Sequence, residues 1–146
     1  MLTVIASCIA LVTLTTVMHY EMLRVLSVAL PLLRVPTRAR LIAVIFATFL
    51  AHAAEILLYA LAYYALTHFA GLGSVGDGHA FSFGAAVYFS AETYTSLGYG
   101  DVIPFGDLRL LAGVEALNGL LLIGWSASYT YIAMERFWNE DGKNTK

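Results

Sequence analysis

Gly98 and Gly100 flank Tyr99 in the segment Thr95-Ser96-Leu97-Gly98-Tyr99-Gly100-Asp101. Glycine adopts backbone dihedrals that other residues resist, so this segment can alternate its backbone conformation from residue to residue. A strand of that kind directs successive carbonyl oxygens to one side. Copies arranged around an axis form rings of oxygens that replace the water shell of a dehydrated cation. The pattern therefore predicts cation coordination by backbone oxygens.

The residues before this segment form the element that must position it. Residues 81–95 are apolar and aromatic but too short to span a bilayer, which is typical of a re-entrant segment. A helix there directs its partly negative C-terminal end toward the same axis, which favours a cation. Non-helical backbone survives at membrane depth only when it is buried in protein or lines water. Four glycines predict a flexible approach to this element: Gly71, Gly73, Gly76 and Gly78.

The composition of the whole chain suits a bilayer. Of its 146 residues, 60% are hydrophobic and 12% are charged, and the mean hydropathy is +0.75. Soluble domains carry about twice that charged fraction, so this chain cannot cover its surface with polar groups in water. Membrane lipid is the expected partner. The formal net charge of −2 and the lack of a basic cluster argue against a nucleic-acid partner.

Three apolar segments reach or approach the length of a membrane span. They cover residues 2–17 (or 2–20, if His19 is tolerated near the interface), 41–67 and 108–134. The first either spans or lies on the cytoplasmic side. No lysine or arginine precedes Arg24, which favours a retained segment over a secretory signal. The predicted fold class is an all-α membrane protein, with a re-entrant helix and a glycine strand between an outer and an inner helix, plus one N-terminal helix.

Residues 21–40 link the first two segments. They are predicted to form a short amphipathic helix along the cytoplasmic interface, which Pro31 ends. Basic residues place this linker and the C-terminal tail in the cytoplasm by the positive-inside rule: Arg24, Arg34, Arg38, Arg40, Arg136, Lys143 and Lys146. The predicted divisions are residues 1–40, residues 41–138 and a short tail at residues 139–146.

Residues 86–138 resemble the pore region of tetrameric potassium channels, in particular the bacterial kind with two transmembrane helices. The likeness is strongest over Glu92-Thr93-Tyr94-Thr95-Ser96-Leu97-Gly98-Tyr99-Gly100-Asp101, which Pro104 follows. The resemblance implies a pore-loop channel fold over residues 41–138 and passive potassium conduction. It implies no enzymatic activity and no cofactor other than permeant potassium ions. Because each chain carries one pore loop, a homotetramer with fourfold symmetry is expected.

The resemblance assigns the selectivity filter to residues 95–100. It implies that the carbonyl oxygens of four residues hold the potassium ions: Ser96, Leu97, Gly98 and Tyr99. The Ser96 hydroxyl would form the innermost site, where the family usually has threonine, and Leu97 stands where valine or isoleucine is common. Serine lacks the methyl group that fixes the rotamer, so we expect looser coordination.

The resemblance also assigns residues that support the filter. Glu92 and Asp101 match a buried carboxyl pair in some members, of which one carboxyl is expected to stay protonated. The alternative is two separate, solvated acids. Tyr88 and Phe89 stand where the family often has tryptophans whose donors hold the filter tyrosine. Phe89 has no donor, so the Tyr99 hydroxyl loses that partner or finds another, and we expect weaker selectivity.

The third apolar segment carries a stripe of residues at helical spacing: Glu115, Asn118, Leu122, Ser126 and Thr130. The stripe either lines a water-filled cavity or forms hydrogen bonds behind the filter and between helices. Gly119 and Gly124 are candidates for a gating hinge or for close helix packing. Trp125 is too bulky for a narrow axis and is expected to pack on a neighbouring helix.

His52 and Glu55 lie in the middle of the second segment, at about the depth of Asn118. We expect a polar layer that joins Glu55 to the inner helix or to threonines of the first segment: Thr13, Thr15 and Thr16. A titratable group there would make gating sensitive to pH, whereas a static hydrogen bond would not. Cys8 lies in an apolar run and is expected to be a packed thiol.

Three functions stay open from the sequence. They are a selective potassium channel, a weakly selective cation channel, and a non-conducting membrane sensor or scaffold that retains the pore fold. No segment carries regularly spaced arginines, so voltage sensing is not expected. The gate then lies in the filter, the inner helix, the membrane or a separate regulatory subunit. The predicted location is a bacterial inner membrane, with the filter outside and the C-terminus in the cytoplasm.

Overall fold

A computed structural model of the chain describes residues 1–32, 35–76 and 81–144, with side chains up to residue 138. Its helices are α1 (Leu2–Ala29), α2 (Thr37–His68), α3 (Phe83–Tyr94) and α4 (Leu108–Asn144), with a 3-10 turn at Leu30–Leu32. No named strand forms in these ranges. The predicted all-α fold is confirmed. The predictions placed on Arg34, Gly78, Lys146 and the Lys143 side chain lie outside the described residues.

Three helices are long and apolar enough to cross a membrane, namely those at Leu2–Leu32, Thr37–His68 and Leu108–Trp138. A helix of 31 residues measures about 46 Å at 1.5 Å per residue, which exceeds the roughly 30 Å hydrocarbon core. Their outer faces expose large apolar side chains such as Ile9, Phe46 and Leu117. Lipid, rather than water, is the solvent that such a surface requires.

Proline and serine mark the ends of the helices. α1 stops at Ala29, just before Pro31. Pro36 precedes α2 with φ −56° and ψ 147°, an extended conformation that leads directly into the first turn. Ser82 caps α3, since its hydroxyl oxygen accepts a hydrogen bond from the backbone N–H of Ala85 at 3.1 Å.

The prediction of a separate amphipathic helix in residues 21–30 is wrong. α1 continues through this region without a break, because no glycine or proline interrupts it before Pro31. Glu21 and Arg24 instead form an exposed ion pair of 2.8 Å on the same helix. α2 begins at Thr37 rather than at residue 41, and α4 continues to Asn144 rather than ending at residue 134.

α3 packs between α2 and α4, and α1 packs along both of them. The main apolar core surrounds α3 and contains Tyr59, Tyr63, Phe89 and Leu111. Cys8 is buried in this core, so its prediction as a packed thiol is confirmed. A smaller cluster at the other end of the long helices consists of four residues: Leu30, Val44, Ala133 and Phe137.

The segment before α3 pairs with the segment that follows residues 95–100, which are called the glycine strand from here on. The backbone N–H of Gly76 donates to the Ile103 carbonyl at 2.9 Å, and that of Phe105 donates to the Ser74 carbonyl at 2.8 Å. These bonds fasten the segment that follows residues 95–101 to the start of the re-entrant element. The glycine-rich approach is therefore paired over its described part rather than free.

Candidate functional site

The segment that follows α3 is held by its own amide groups. The N–H of Ser96 donates to the Thr93 carbonyl at 3.0 Å, and the N–H of Leu97 donates to the Glu92 carbonyl at 2.9 Å. The N–H of Gly98 reaches the same Glu92 carbonyl at 3.4 Å. The amide groups therefore point back toward the C-terminal end of α3. The carbonyl oxygens lie along the opposite edge of the strand.

The backbone of this strand alternates in conformation. Positive φ values recur at every second residue: 57° at Ser96, 52° at Gly98 and 81° at Gly100. Glycine adopts such values freely, and the alternation at Gly98 and Gly100 is what their spacing predicts. Ser96 is the one non-glycine residue with positive φ in the described part of the chain.

The carbonyl oxygens of this strand have no partner within the described chain. No hydrogen bond in the described residues uses the carbonyl oxygens of Ser96, Leu97, Gly98 or Tyr99. Residues 95–100 are also exposed, and the Tyr99 side chain is 69% exposed. Within a membrane, a row of unpaired carbonyl groups requires polar partners from outside the chain, namely water, ions or neighbouring chains.

Two side chains of α3 support the strand from behind. Glu92 is buried and its Oε1 accepts a bond of 3.4 Å from the Tyr99 N–H, while the Tyr88 hydroxyl donates to Asp101 Oδ2 at 3.0 Å. Among the described side chains, no hydrogen bond joins Glu92 directly to Asp101. The carboxyl pair with a retained proton therefore stays a prediction.

Phe89, one residue further along α3, is buried and meets the Tyr63 ring edge to face, with centroids 5.0 Å apart. Its position provides packing but no hydrogen-bond donor for the strand. Within a single chain the described hydrogen bonds give the Tyr99 hydroxyl no partner. The expected loss of a donor behind the filter agrees with this arrangement.

Glu115 on α4 joins three helices through its carboxyl group. The Tyr63 hydroxyl of α2 donates to Oε2 at 2.7 Å, and the Ser90 hydroxyl of α3 lies 2.5 Å from Oε1. Ser90 also approaches the Ile56 carbonyl at 2.9 Å. Because Glu115 is fully buried, these bonds fix the middle of α3 to the helices on either side.

Asn118 makes the corresponding link to α1. Its amide nitrogen donates to the Thr15 hydroxyl at 2.8 Å and to the Tyr59 hydroxyl at 3.1 Å. This layer does not contain Glu55, so the expected link from Glu55 to Thr15 is absent from the described hydrogen bonds, and Thr15 pairs with Asn118 instead. The exposed Thr13 hydroxyl bonds to its own helix, at the Ile9 carbonyl.

A second buried layer, here named the His–Glu cluster, consists of His19, His52, Glu55, Tyr94 and Ser126. His19 Nδ1 lies 2.8 Å from Glu55 Oε1, and His52 Nδ1 lies 3.0 Å from Oε2. The Tyr94 hydroxyl donates to Oε2. Ser126 Oγ lies 3.1 Å from the Nε2 atoms of both histidines. The cluster joins all four helices and includes the last residue of α3.

Within one chain, most of the stripe on α4 packs against the other helices, while Ser126 and Thr130 border a cleft between α2 and α4. Glu115, Asn118, Leu122 and Ser126 are all buried, and the side chains of Glu115 and Asn118 form interhelical hydrogen bonds, which was one of the two alternatives. A cavity lining in an assembly of several chains stays a prediction. The helical period shows that these residues share a face, but it does not show what the face contacts. Trp125 lies against His19, with ring centroids 5.5 Å apart, so its predicted packing on a neighbouring helix is confirmed.

The two glycines of α4 have different surroundings. A Cβ on Gly119 would overlap the backbone carbonyl group of Tyr94, whereas a Cβ on Gly124 would meet nothing within 4 Å. Gly119 therefore permits α4 to approach the end of α3 closely. A hinge role for either glycine stays a prediction.

We expect Gly119→Ala to lower and Gly124→Ala to raise the unfolding midpoint of the purified protein. Overpacking at Gly119 costs about 1–3 kcal/mol, while alanine is about 1 kcal/mol more favourable than glycine inside a helix. Thermal unfolding in detergent, followed by circular dichroism, measures both. Equal midpoints for the two variants would contradict the close approach at Gly119.

The sequence reasoning missed several residues of these layers. His19 was considered only as a residue at the edge of a span, and Tyr59, Tyr63, Ser90 and Tyr94 were not assigned. A signal for His19 did exist, since a titratable side chain in an apolar helix usually has a partner at the same depth. The partner itself depends on how α1 packs, which the sequence pattern does not define.

Comparisons with known proteins bear on the same region. A family model described as ion channel matches residues 51–136, which is more than half of the chain and includes α3, the glycine strand and most of α4. Searches of curated proteins and of solved structures found no match.

Proposed function

The chain belongs to the ion channel family, and from that premise we propose that it conducts potassium ions passively through a pore formed by four copies. One observation supports this most strongly. The strand at residues 95–100 folds its amide groups back onto α3 and leaves four successive carbonyl oxygens unpaired. That geometry suits coordination of a dehydrated cation.

Potassium is the favoured ion because the ligands are backbone carbonyl oxygens and because the residues that carry them follow the order of a known potassium filter motif. Rings of backbone carbonyls replace the hydration shell of potassium in channels whose filters carry a TVGYG motif. This chain has Thr95-Ser96-Leu97-Gly98-Tyr99-Gly100 at the corresponding place. The carbonyl oxygens from Ser96 to Tyr99, with the Ser96 hydroxyl, are the proposed ligands. The C-terminal end of α3 adds a partial negative charge beside them.

The incomplete state of one chain supports a fourfold assembly. A single strand supplies one carbonyl oxygen per layer, and its exposed side would face lipid if the chain stood alone. Four strands around an axis supply a ring of oxygens per layer and bury that side. A closed ring of identical subunits also requires no internal repeat within the chain.

A weakly selective cation channel is the second candidate, and Phe89 is the observation that favours it. Its side chain packs on Tyr63 and offers no donor to the strand. A strand held less rigidly adapts to ions of different size. A scaffold that keeps the fold without conducting has no comparable support.

The proposed orientation places the filter outside and the C-terminus in the cytoplasm. Arg24, Arg38, Arg40 and Arg136 lie toward the end of the bundle where Leu30, Val44, Ala133 and Phe137 pack together. The amino group of Met1 pairs with Asp107 at the other end, just before α4. The positive-inside rule assigns the arginine-rich end to the cytoplasm.

Ion flux into liposomes that contain the purified full chain tests this proposal. We expect potassium uptake above that of empty vesicles, in step with the amount of protein added. Absence of flux under opposite potassium gradients and across a range of pH values would support the scaffold instead. Chemical cross-linking of the same sample should give a species of four chains.

A further inference from the structure

We propose that the His–Glu cluster is a binding site for one divalent transition-metal ion, with His19, His52 and Glu55 as its ligands. The three ligand atoms all lie within 4.8 Å of one another. Each residue projects inward from α1 or α2, and both His19 and Glu55 are fully buried. This site is separate from the proposed filter and does not depend on conduction.

The donor set suits zinc or a similar ion. Two imidazole nitrogens and a carboxylate oxygen are ligands that Zn²⁺ takes in proteins, at about 2.0–2.2 Å. Ligands at that distance around a tetrahedron lie about 3.3 Å apart. His19 Nδ1 lies 2.8 Å from Glu55 Oε1 and His52 Nδ1 lies 3.0 Å from Oε2, so each imidazole already faces one oxygen of the same carboxylate, and both contacts must lengthen when an ion enters.

The Tyr94 hydroxyl provides a group for the fourth position. It bonds to Glu55 Oε2 and lies 2.9 Å from His52 Nδ1, so it faces the space between these two ligands. A water molecule can take the same position. With the Tyr94 hydroxyl or a water molecule, the three ligands make up the four donors that a tetrahedral Zn²⁺ site requires.

Ser126 supplies the outer contact that orients both imidazoles. A serine hydroxyl has one proton and two acceptor lone pairs. When both Nδ1 atoms carry protons toward Glu55, both Nε2 atoms are bare, and Ser126 can donate to only one of them. When a metal ion holds both Nδ1 atoms, both Nε2 atoms carry protons and the Ser126 oxygen accepts both at 3.1 Å. The metal-bound form thus satisfies every ring nitrogen with both histidines neutral and in the same tautomer. Without a metal, neutral histidines are also satisfied when the two rings differ in tautomer, since the Tyr94 hydroxyl lies 2.9 Å from His52 Nδ1 and can donate to it.

Charge and access agree with a metal ion. Glu55 is a fully buried acid within a membrane helix, and ionisable residues in such helices usually pair with one another or face water. A cleft of about 520 Å³ between α2 and α4 leads to the cluster, with His52 and Ser126 in its wall and Thr48 and Thr130 along its course. The His52 side chain is 18% exposed, so one of the proposed ligands borders this cleft.

Titration of Co²⁺ into the metal-free full chain in detergent tests the site, because Co²⁺ reports its coordination through visible absorption. We expect one ion per chain, the intense bands of a tetrahedral centre, and displacement by Zn²⁺. Trp125 lies beside His19, so its fluorescence should be quenched in parallel. His68→Gln, which removes an exposed histidine of α2, should leave all of this unchanged.

Two variants define the ligands. We expect His19→Gln to abolish the tetrahedral bands and Ser126→Ala, which alters only the outer contact, to weaken Zn²⁺ binding about 10- to 100-fold. If His19→Gln fails to fold, Ser126→Ala decides the question. The proposal is overturned if the parent protein binds no Co²⁺, if its bands are those of an octahedral ion, or if Ser126→Ala binds as the parent does.

Discussion

Gly98→Ala should reduce potassium flux into liposomes by at least about 100-fold, since alanine in a left-handed conformation costs about 1–2 kcal/mol per residue. Gly98 has φ 52° in the centre of the strand. Four copies of the strand would add about 4–8 kcal/mol of strain to one pore. The strand relieves that strain by rotating peptide groups, which turns carbonyl oxygens away from the axis.

Gly84→Ala is the matched control for this experiment. Gly84 lies in α3, where a Cβ would meet only the Ser82 hydroxyl oxygen at 3.8 Å, and its φ is not positive. The same substitution there should leave the flux within about twofold of the parent, because alanine is the better helix former. Equal flux from the Gly98 and Gly84 variants would contradict the assignment of this strand as the conduction site.

Glu115→Leu should destabilise the protein by about 1–3 kcal/mol, since hydrogen bonds between membrane helices contribute about 0.6 kcal/mol on average and up to about 1.7. Two such bonds are lost, from Tyr63 and from Ser90. Ser90 lies in the middle of α3, so the loss also loosens the element that carries the proposed filter. We therefore expect potassium flux to fall as well.

The thermal unfolding midpoint and the potassium flux of three variants, Glu115→Leu, Glu115→Gln and Glu135→Leu, measure the contribution of the Glu115 hydrogen bonds. Glu115→Gln should lose less stability than Glu115→Leu, because the serine and tyrosine hydroxyls can also accept from an amide. Glu135→Leu, which changes an exposed acid on the same helix, should unfold as the parent does. If Glu115→Leu and Glu135→Leu had the same midpoint, the carboxyl link among α2, α3 and α4 would have no energetic role.

The elements around the filter were predictable because they depend on local chemistry. The length of residues 81–95 excludes a span, and the helix found there is α3 (Phe83–Tyr94). The start of α4 at Leu108 also agrees with the prediction. Gly98 and Gly100 signal the alternating backbone through their own conformational freedom. These features need no knowledge of what the segment contacts.

The buried layers were less predictable because they depend on packing. The stripe on α4 was recognised from its period, yet whether it faced water or protein was left open. It faces protein because α1 is a full-length helix that covers this side of the bundle. The prediction divided α1 into a short span and an interfacial helix. It therefore did not include the packing of a full-length α1 on the stripe, or the pairing of His19 with Glu55.

The reversal potential of single channels in a planar bilayer, with potassium on one side and sodium on the other, tests the central claim most directly. We predict a reversal potential displaced strongly toward the potassium equilibrium value, which indicates a filter of carbonyl rings that prefers potassium. A reversal potential near zero in equal concentrations of the two ions would contradict potassium selectivity and would instead establish the weakly selective channel.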